Sequence, residues 1–298
     1  MDTTLKPPAP KSVDKKYLLL AQTILKGLGQ IMLQENSITG FLFLIGIFWG
    51  SVNMGFAAIF ATTCGTFTAQ LLKYDKAEIE KGLYGFSAAL VGVALTLFFK
   101  PEFITWLFII IGSALATIIQ HFFIKRKIPA FTFPFVLVTW FFVFCIQYFY
   151  PELMAETGIS SSSVSDNFTF AIKGFGQVIF QDKLLSGTLF FIAVLISSPI
   201  AALYGIAAGI LSAFIAIQFS IPFESIEIGL FSYNAVLCAI IFAGEKLKDS
   251  IWVLIAVLFS TAISLFMFHY GLSRLTFPFV AASCITLVLR KTITLQLK

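Results

Sequence analysis

Residues 27–34 read Gly-Leu-Gly-Gln-Ile-Met-Leu-Gln, and residues 174–181 read Gly-Phe-Gly-Gln-Val-Ile-Phe-Gln. The two stretches lie about 147 residues apart, and Gly40 and Gly187 follow them at the same separation. Further matches recur in the same order, namely Gly82-Leu83-Tyr84 with Gly229-Leu230-Phe231, and Thr-Phe-Pro-Phe at 132–135 and at 276–279. Four motifs repeated in one order predict a chain built from two similar halves.

The composition predicts a membrane protein. Of the 298 residues, 58% are hydrophobic and 12% are charged, and the mean hydropathy is +0.94. A soluble domain of this length needs a far more polar surface. Apolar segments approaching the roughly 20 residues that a helix needs to cross a bilayer predict five spans in each half. They are residues 37–55, 56–72, 83–99, 103–123, 131–150, 184–202, 203–219, 230–244, 251–270 and 276–290.

The charge pattern predicts how the spans are oriented. An odd number of spans in each half gives the halves opposite orientations, which is an inverted repeat. Most of the 20 Lys and Arg residues then fall on the side of the N-terminus, so both termini are expected in the cytoplasm. The net charge of +5 is spread over short loops, which indicates a lipid bilayer as partner and no nucleic acid.

Two short segments, residues 21–34 and 168–182, precede the first span of each half. They are too short and too polar to cross a membrane alone, and each is predicted to be a half-helix that enters the membrane and stops. Two such half-helices would place Gln30 and Gln177 around one axis near the midplane. The alternative is an interfacial helix with packing glycines.

The predicted fold is therefore an all-α integral membrane protein with two inverted-topology repeats. Each repeat contains five transmembrane helices and one re-entrant half-helix. The predicted domains are a cytoplasmic N-terminal tail at 1–16 with no signal peptide, a first membrane repeat at 17–150 and a second membrane repeat at 151–298.

Thr132 and Thr276 each stand before a Phe-Pro-Phe string. The proline removes one amide donor and frees a carbonyl about a turn earlier. A threonine hydroxyl next to such a break either caps the disturbed backbone or serves as a ligand. Recurrence in both halves favours a paired role near the midplane.

Taken together, these motifs resemble those of the urea transporter family. Residues 27–33 and 174–180 resemble the entrance motifs of that family, and Gly-Leu-Phe-Ser-Tyr-Asn at 229–234 looks like its small-Tyr-Asn motif. Ile-Pro-Ala-Phe-Thr-Phe-Pro-Phe at 128–135 is similar to its Leu-Pro-x-x-Thr-x-Pro-Phe signature. The resemblance covers nearly the whole chain and both halves.

The resemblance implies a passive channel for urea, or for a closely related amide, with no cofactor. It implies a homotrimer in a bacterial inner (cell) membrane, with one narrow filter between the halves of each subunit. Gln30 and Gln177 would accept urea N–H groups, and Thr132 and Thr276 would lie at the centre. The apolar slot walls would be Ile31, Leu33, Leu83, Val178, Phe180 and Phe231.

The chain departs from the family pattern at four places. Glu35-Asn36 and Asp182-Lys183 replace paired asparagines, Phe86-Ser87 replaces Tyr-Asn, and Ser273-Arg274 replaces Pro-x. These departures leave the identity of the amide and the electrostatics of the vestibule open.

Other classes fit the sequence less well. An enzyme is not expected, because the chain has two histidines, no metal-binding spacing and no nucleophile motif. An ion-coupled secondary transporter shares inverted repeats with this pattern, but it usually needs ionisable residues inside its spans, which are nearly free of them here. An ammonia or water channel is the remaining alternative.

Overall fold

The computed structural model describes residues 12–155 and 169–296, and its regular structure there is helical apart from one β-bridge between Phe99 and Met154. The first half contains α1 (Ser12–Gly29), α2 (Ser37–Gly50), α3 (Val52–Leu71), α4 (Lys76–Glu80), α5 (Phe86–Phe98), α6 (Phe103–Lys125) and α7 (Phe133–Phe149). The second half contains α8 (Phe170–Gln177), α9 (Leu184–Ser197), α10 (Pro199–Gln218), α11 (Phe223–Glu227), α12 (Tyr233–Phe242), α13 (Leu247–His269) and α14 (Phe277–Gln296). Helices α2, α3, α4 and α5 begin 147 residues before α9, α10, α11 and α12 respectively.

Several of these helices have the length and hydropathy of membrane spans. They are α3, α6, α10, α13 and residues 277–294 of α14, and α1 with α2 forms a further candidate that is bent by 77°. Four shorter helices, α5, α7, α9 and α12, are also apolar. Each of the ten predicted spans coincides with one of α2, α3, α5, α6, α7, α9, α10, α12, α13 and α14. The fold is that of a multi-pass membrane protein.

The predicted boundary between the first two spans of each half is wrong by four residues. Helix α3 begins at Val52 rather than at 56, because Ser51 has an extended backbone and its hydroxyl accepts the N–H of Met54. This capping bond ends α2 and starts α3. Helix α10 likewise begins at Pro199 rather than at 203, since a proline is favoured in the first turn of a helix.

At the N-terminus, helix α1 begins at Ser12, within the segment at 1–16 that the sequence analysis expects to be a cytoplasmic tail. The rest of that predicted tail, residues 1–11, lies outside the described residues, as do residues 156–168 and 297–298.

The chain turns in the same way after α1 and after α8. Leu33 and Phe180 have positive φ values of 60° and 58°, a left-handed conformation that is uncommon for residues other than glycine. The next amide, of Gln34 or Gln181, bonds back to the carbonyl five residues earlier, at 3.1 and 3.0 Å. This pattern closes a helix C-terminus and reverses the chain.

After each turn the chain packs tightly against the helix that precedes it. A Cβ added to Gly40 would overlap with the carbonyl oxygen of Leu25, and one added to Gly187 would overlap with that of Ile172. Only glycine allows the two backbones to approach this closely. The repeated glycines therefore have a packing role, and this close approach fixes where α1 and α8 end.

The two halves touch through reciprocal contacts. The Thr39 hydroxyl donates to the carbonyl of Ala193 at 3.1 Å, and the Ser186 hydroxyl donates to the carbonyl of Gly46 at 2.8 Å. Ser186 and Ala193 lie 147 residues after Thr39 and Gly46 respectively. Two contacts between equivalent positions are thus made with the halves exchanged.

Candidate functional site

The centre of the site is a pair of threonines. Thr132 and Thr276 are buried, with 3% and 2% of their surfaces exposed, and their hydroxyl oxygens lie 2.6 Å apart. Each directly precedes the first turn of α7 or α14, and each follows a residue with positive φ, Phe131 or Leu275. The Thr132 hydroxyl does not cap its own helix, because it bonds to Thr276 instead. One hydroxyl proton suffices for this bond, so the pair retains a donor and free lone pairs.

A cavity of about 150 Å³ lies on one side of the threonine pair. The structure brings five of the predicted site residues together in its wall, namely Gln30, Ile31, Leu33, Leu83 and Thr132. Its other lining residues are Phe86, Gln120, Phe131 and Phe279, and the rings of Phe131 and Phe279 lie 5.3 Å apart between centroids. We call this space the first cavity.

In the first cavity the orientation of Gln30 is fixed by the backbone. Its amide nitrogen donates to the carbonyl of Lys81 at 3.1 Å. This bond uses one of the two N–H donors of the NH₂ group and leaves the carbonyl oxygen of the side chain free to accept hydrogen bonds. Gln30 is therefore suited to bind a molecule that carries N–H donors.

A second cavity, of about 520 Å³, contains the other glutamine. Its wall includes residues that stand 147 or 144 positions after those of the first cavity, namely Gln177, Phe180, Leu230, Tyr233 and Leu275 as counterparts of Gln30, Leu33, Leu83, Phe86 and Phe131. The two glutamines, which the sequence analysis expects around one axis near the midplane, thus line two different cavities.

The second cavity is also lined by aromatic rings. Phe180 lies 6.3 Å from Phe98 and 6.1 Å from Phe135 between ring centroids, with the rings steeply inclined to each other. Tyr233 contributes its ring, while its hydroxyl donates to the carbonyl of Leu275. Both cavities thus combine apolar aromatic surface with glutamine side chains, Gln30 and Gln120 in the first and Gln177 and Gln181 in the second.

Two predicted wall residues lie elsewhere. Phe231 packs against Phe268, with ring centroids 5.4 Å apart, in a separate apolar cluster with Ile226. The counterpart of Leu83 in the second half is Leu230 rather than Phe231, and Leu230 does line the second cavity. Val178 is 1% exposed and belongs to the main core, although its counterpart Ile31 lines the first cavity.

Arg274 gives the second cavity a charge that the first lacks. Its guanidinium lies over the ring of Phe231, 4.3 Å from the centroid, and donates to the carbonyl of Leu230 at 3.3 Å. Burial lowers the pKa of Arg274, whose ordinary value is so high that the group stays charged. Asp182 lines the same cavity, so the vestibule carries both signs of charge.

Sequence reasoning missed several lining residues. Phe131 and Leu275 could have been found from their position directly before the paired threonines. Phe279 enters the wall of the first cavity from the opposite half, which no local pattern indicates. Gln120 is a buried amide in the apolar helix α6, and a strongly polar side chain within a span is itself a signal of function.

The histidines lie outside both cavities. His121 stacks on Tyr74 with 3.6 Å between ring centroids, and its Nδ1 lies 2.9 Å from the Tyr84 hydroxyl. His269 is in the last turn of α13 beside Tyr270. Within the described residues, no three His, Cys, Asp or Glu side chains are grouped as a metal site would need.

Comparison with known proteins identifies the family. The family model described as "UT: Urea transporter" matches residues 21–291. The chain is 27% identical over 299 residues to urea transporter 1 of Ovis aries, covering 89% of this chain and 76% of the relative. It is 27% identical over 242 residues to urea transporter 1 of Mus musculus, covering 74% of this chain and 62% of the relative.

These relatives are mammalian, so they add no support for the bacterial membrane expected from the sequence. Their family consists of transporters and not enzymes, in agreement with the sequence analysis. The match extends through both halves of the chain and includes the threonine pair and both cavities. The chain belongs to the urea transporter family.

Proposed function

We propose that the chain is a passive channel that conducts urea from one cavity to the other past the threonine pair. The observation that carries this proposal is the order of polar groups along one path. Gln30 lies in the first cavity, Thr132 and Thr276 lie in the middle, and Gln177 lies in the second cavity. Between these groups the walls are largely apolar and aromatic.

Such a path suits the chemistry of urea. Urea is flat and neutral and carries N–H donors on both nitrogens, which need acceptors when water is removed. Each hydrogen bond that is not replaced costs about 1–3 kcal/mol. The glutamine and threonine oxygens replace some of these bonds, and the aromatic rings admit a flat molecule. An ion would lose far more hydration than these walls return.

Two inverted repeats account for the placement of these groups. The reciprocal bonds of Thr39 and Ser186, and the contact of Thr132 with its own counterpart Thr276, support a two-fold axis that passes between the hydroxyls. An axis in the membrane plane places one glutamine toward each side of the bilayer. In this arrangement urea meets the same sequence of groups from either direction.

The placement of charge favours passive conduction over ion coupling. Among the residues that the structure describes, no charged side chain lines the first cavity. The buried Lys173 and Glu227 are paired with each other, 3.8 Å apart, and neither lines either cavity. Coupled transport needs ionisable groups along the path, and here only Asp182 and Arg274 of the second cavity are available.

The proposal includes the oligomeric state of the protein and its orientation in the membrane. We expect a homotrimer with one path in each subunit and with both termini in the cytoplasm. Large apolar side chains are exposed on many helices, and this surface requires lipid or another subunit as cover. Urea, or a small amide, and the bilayer are then the partners of each subunit.

The proposal is tested by removing each glutamine oxygen in turn. Gln30→Ala and Gln177→Ala should each lower urea flux into proteoliposomes at least about fivefold, the equivalent of one lost acceptor. Gln218→Ala, on the exposed end of α10, is the matched control and should leave the flux unchanged. Wild-type flux in both cavity variants would remove the glutamines from the path. Fast water flux with no urea flux would favour the water-channel alternative.

A further inference from the structure

Gln120 is a buried side chain without a partner in the wall of the first cavity. It lies in α6, is 6% exposed and lines the cavity together with Gln30 and Thr132. Its side-chain oxygen is fully enclosed and has no hydrogen-bond partner, and its NH₂ group has none among the described residues. An amide buried in this way destabilises a fold unless something fills its bonds.

The oxygen of Gln120 is enclosed by protein, so the NH₂ end is the end left to face the cavity. Gln30 has the complementary orientation, because its NH₂ group is directed to the carbonyl of Lys81. The first cavity therefore offers one amide oxygen as acceptor and one amide NH₂ as donor. A molecule that fits both must itself carry N–H groups and a carbonyl oxygen.

The cavity has the size for such a molecule. Its volume of about 150 Å³ is roughly five times the volume that one water molecule occupies in the liquid. The counterpart of Gln120 in the second half, 144 residues later, is Ser264, which is too short to serve the same purpose. In the second cavity Arg274 carries spare N–H donors, since one of its five is directed to the carbonyl of Leu230.

We propose that Gln120 donates an N–H to the carbonyl oxygen of urea in the first cavity, while the oxygen of Gln30 accepts an N–H from the same molecule. This inference rests on the proposed function. It makes Gln120 the residue that selects for the carbonyl group. Urea should be preferred over thiourea, which has the same N–H groups but a sulfur atom that accepts hydrogen bonds weakly.

The test compares urea with thiourea in proteoliposomes. Gln120→Met keeps the length of the side chain and removes the donor, so urea permeability should fall about two- to tenfold. Thiourea permeability should change less, and the urea-to-thiourea ratio should fall accordingly. If the wild-type protein does not conduct thiourea, the preference for urea is measured instead from how strongly thiourea inhibits urea influx.

Two matched variants separate selection from a structural role. Gln30→Ala removes an acceptor that serves both solutes, so it should lower both permeabilities and keep their ratio. Ser264→Ala alters the counterpart position and should change neither. Gln120→Asn keeps the amide but, with a shorter side chain, withdraws it from the cavity. It replaces Gln120→Met as the test variant if Gln120→Met does not fold, and it should also lower the urea-to-thiourea ratio.

The outcomes distinguish this inference from the proposed function. A wild-type protein that conducts no urea would overturn both. Wild-type conduction with an unchanged ratio in Gln120→Met, or in Gln120→Asn, would overturn only the role of Gln120. A reduced ratio with intact trimers and normal Ser264→Ala activity is the expected result.

Discussion

The threonine pair can be tested by comparing single and double substitutions. Thr132→Val keeps the shape of the side chain and removes one hydroxyl of a bond that is 2.6 Å long. The hydroxyl of Thr276 is then buried without a partner, which destabilises the fold by about 1–3 kcal/mol. On the proposed path urea loses one acceptor at the threonine pair, and a barrier higher by about 1–3 kcal/mol lowers the flux about five- to 150-fold.

The double variant Thr132→Val/Thr276→Val separates the two effects. With both hydroxyls gone, no polar group remains unpaired, and replacing both partners by apolar groups of the same shape can be nearly neutral for stability. We expect the melting temperature to recover relative to Thr132→Val, while urea flux stays as low as in the single variant or falls further. Stability is measured by thermal unfolding in detergent, and flux by stopped-flow light scattering.

The control lies on the same helix. Thr139 in α7 is buried and its hydroxyl has no hydrogen-bond partner among the described residues. Because Thr139 lines neither cavity, Thr139→Val should leave urea flux unchanged and should not destabilise the protein. A double variant that regained both stability and wild-type flux would refute the role of the threonine pair in conduction.

Three further predictions concern packing, charge and topology. Gly40→Ala should sharply reduce the yield of folded protein, because its Cβ would overlap with the carbonyl oxygen of Leu25; normal yield and melting temperature would show that α1 can move away. A reporter cysteine, Leu97→Cys, in the second cavity can be modified by a cationic or by a neutral thiol reagent. Arg274→Gln should raise the ratio of the cationic to the neutral rate about fivefold, since one nearby charge contributes about 1 kcal/mol. An unchanged relative rate would mean that the charge does not reach the cavity. Cysteines at the exposed positions Lys76 and Glu224, in a background without the four native cysteines, should label from opposite sides of the membrane, and labelling from one side would exclude the inverted repeat.

The sequence predicted the helical segments well because their signal is strong. A run of apolar residues indicates a membrane helix whatever its neighbours are. The exact ends depended on single polar contacts, such as the hydroxyl of Ser51 that caps α3. Such contacts are weaker signals, and the predicted boundaries missed them.

Residues of the candidate site could be selected from the sequence only where the repeat marks them. Gln30, Gln177 and the threonine pair occur in both halves and could be selected from the sequence. The motif alignment pairs Leu83 with Leu230, yet Phe231 was selected for the wall although it faces a different cluster. Gln120 has Ser264 as its counterpart, so a comparison of the halves gave no reason to choose it.

The positive φ angles were also beyond prediction from residue type. Leu33, Phe131, Phe180 and Leu275 are not residues that favour this conformation, and tertiary packing imposes it on them. Two of these positions lie where the chain turns after α1 and α8, and two lie directly before the threonine pair. The geometry of the proposed path therefore depends on backbone features that the sequence does not display.

The central claim is passive conduction of urea, and one measurement tests it most directly. Wild-type protein in liposomes is given a urea gradient in stopped-flow light scattering, first with no sodium or proton gradient and then with each. The account predicts rapid urea influx that runs down its own gradient and is indifferent to both ion gradients. Urea influx that occurs only when a sodium or proton gradient is present would contradict it and would indicate a coupled transporter.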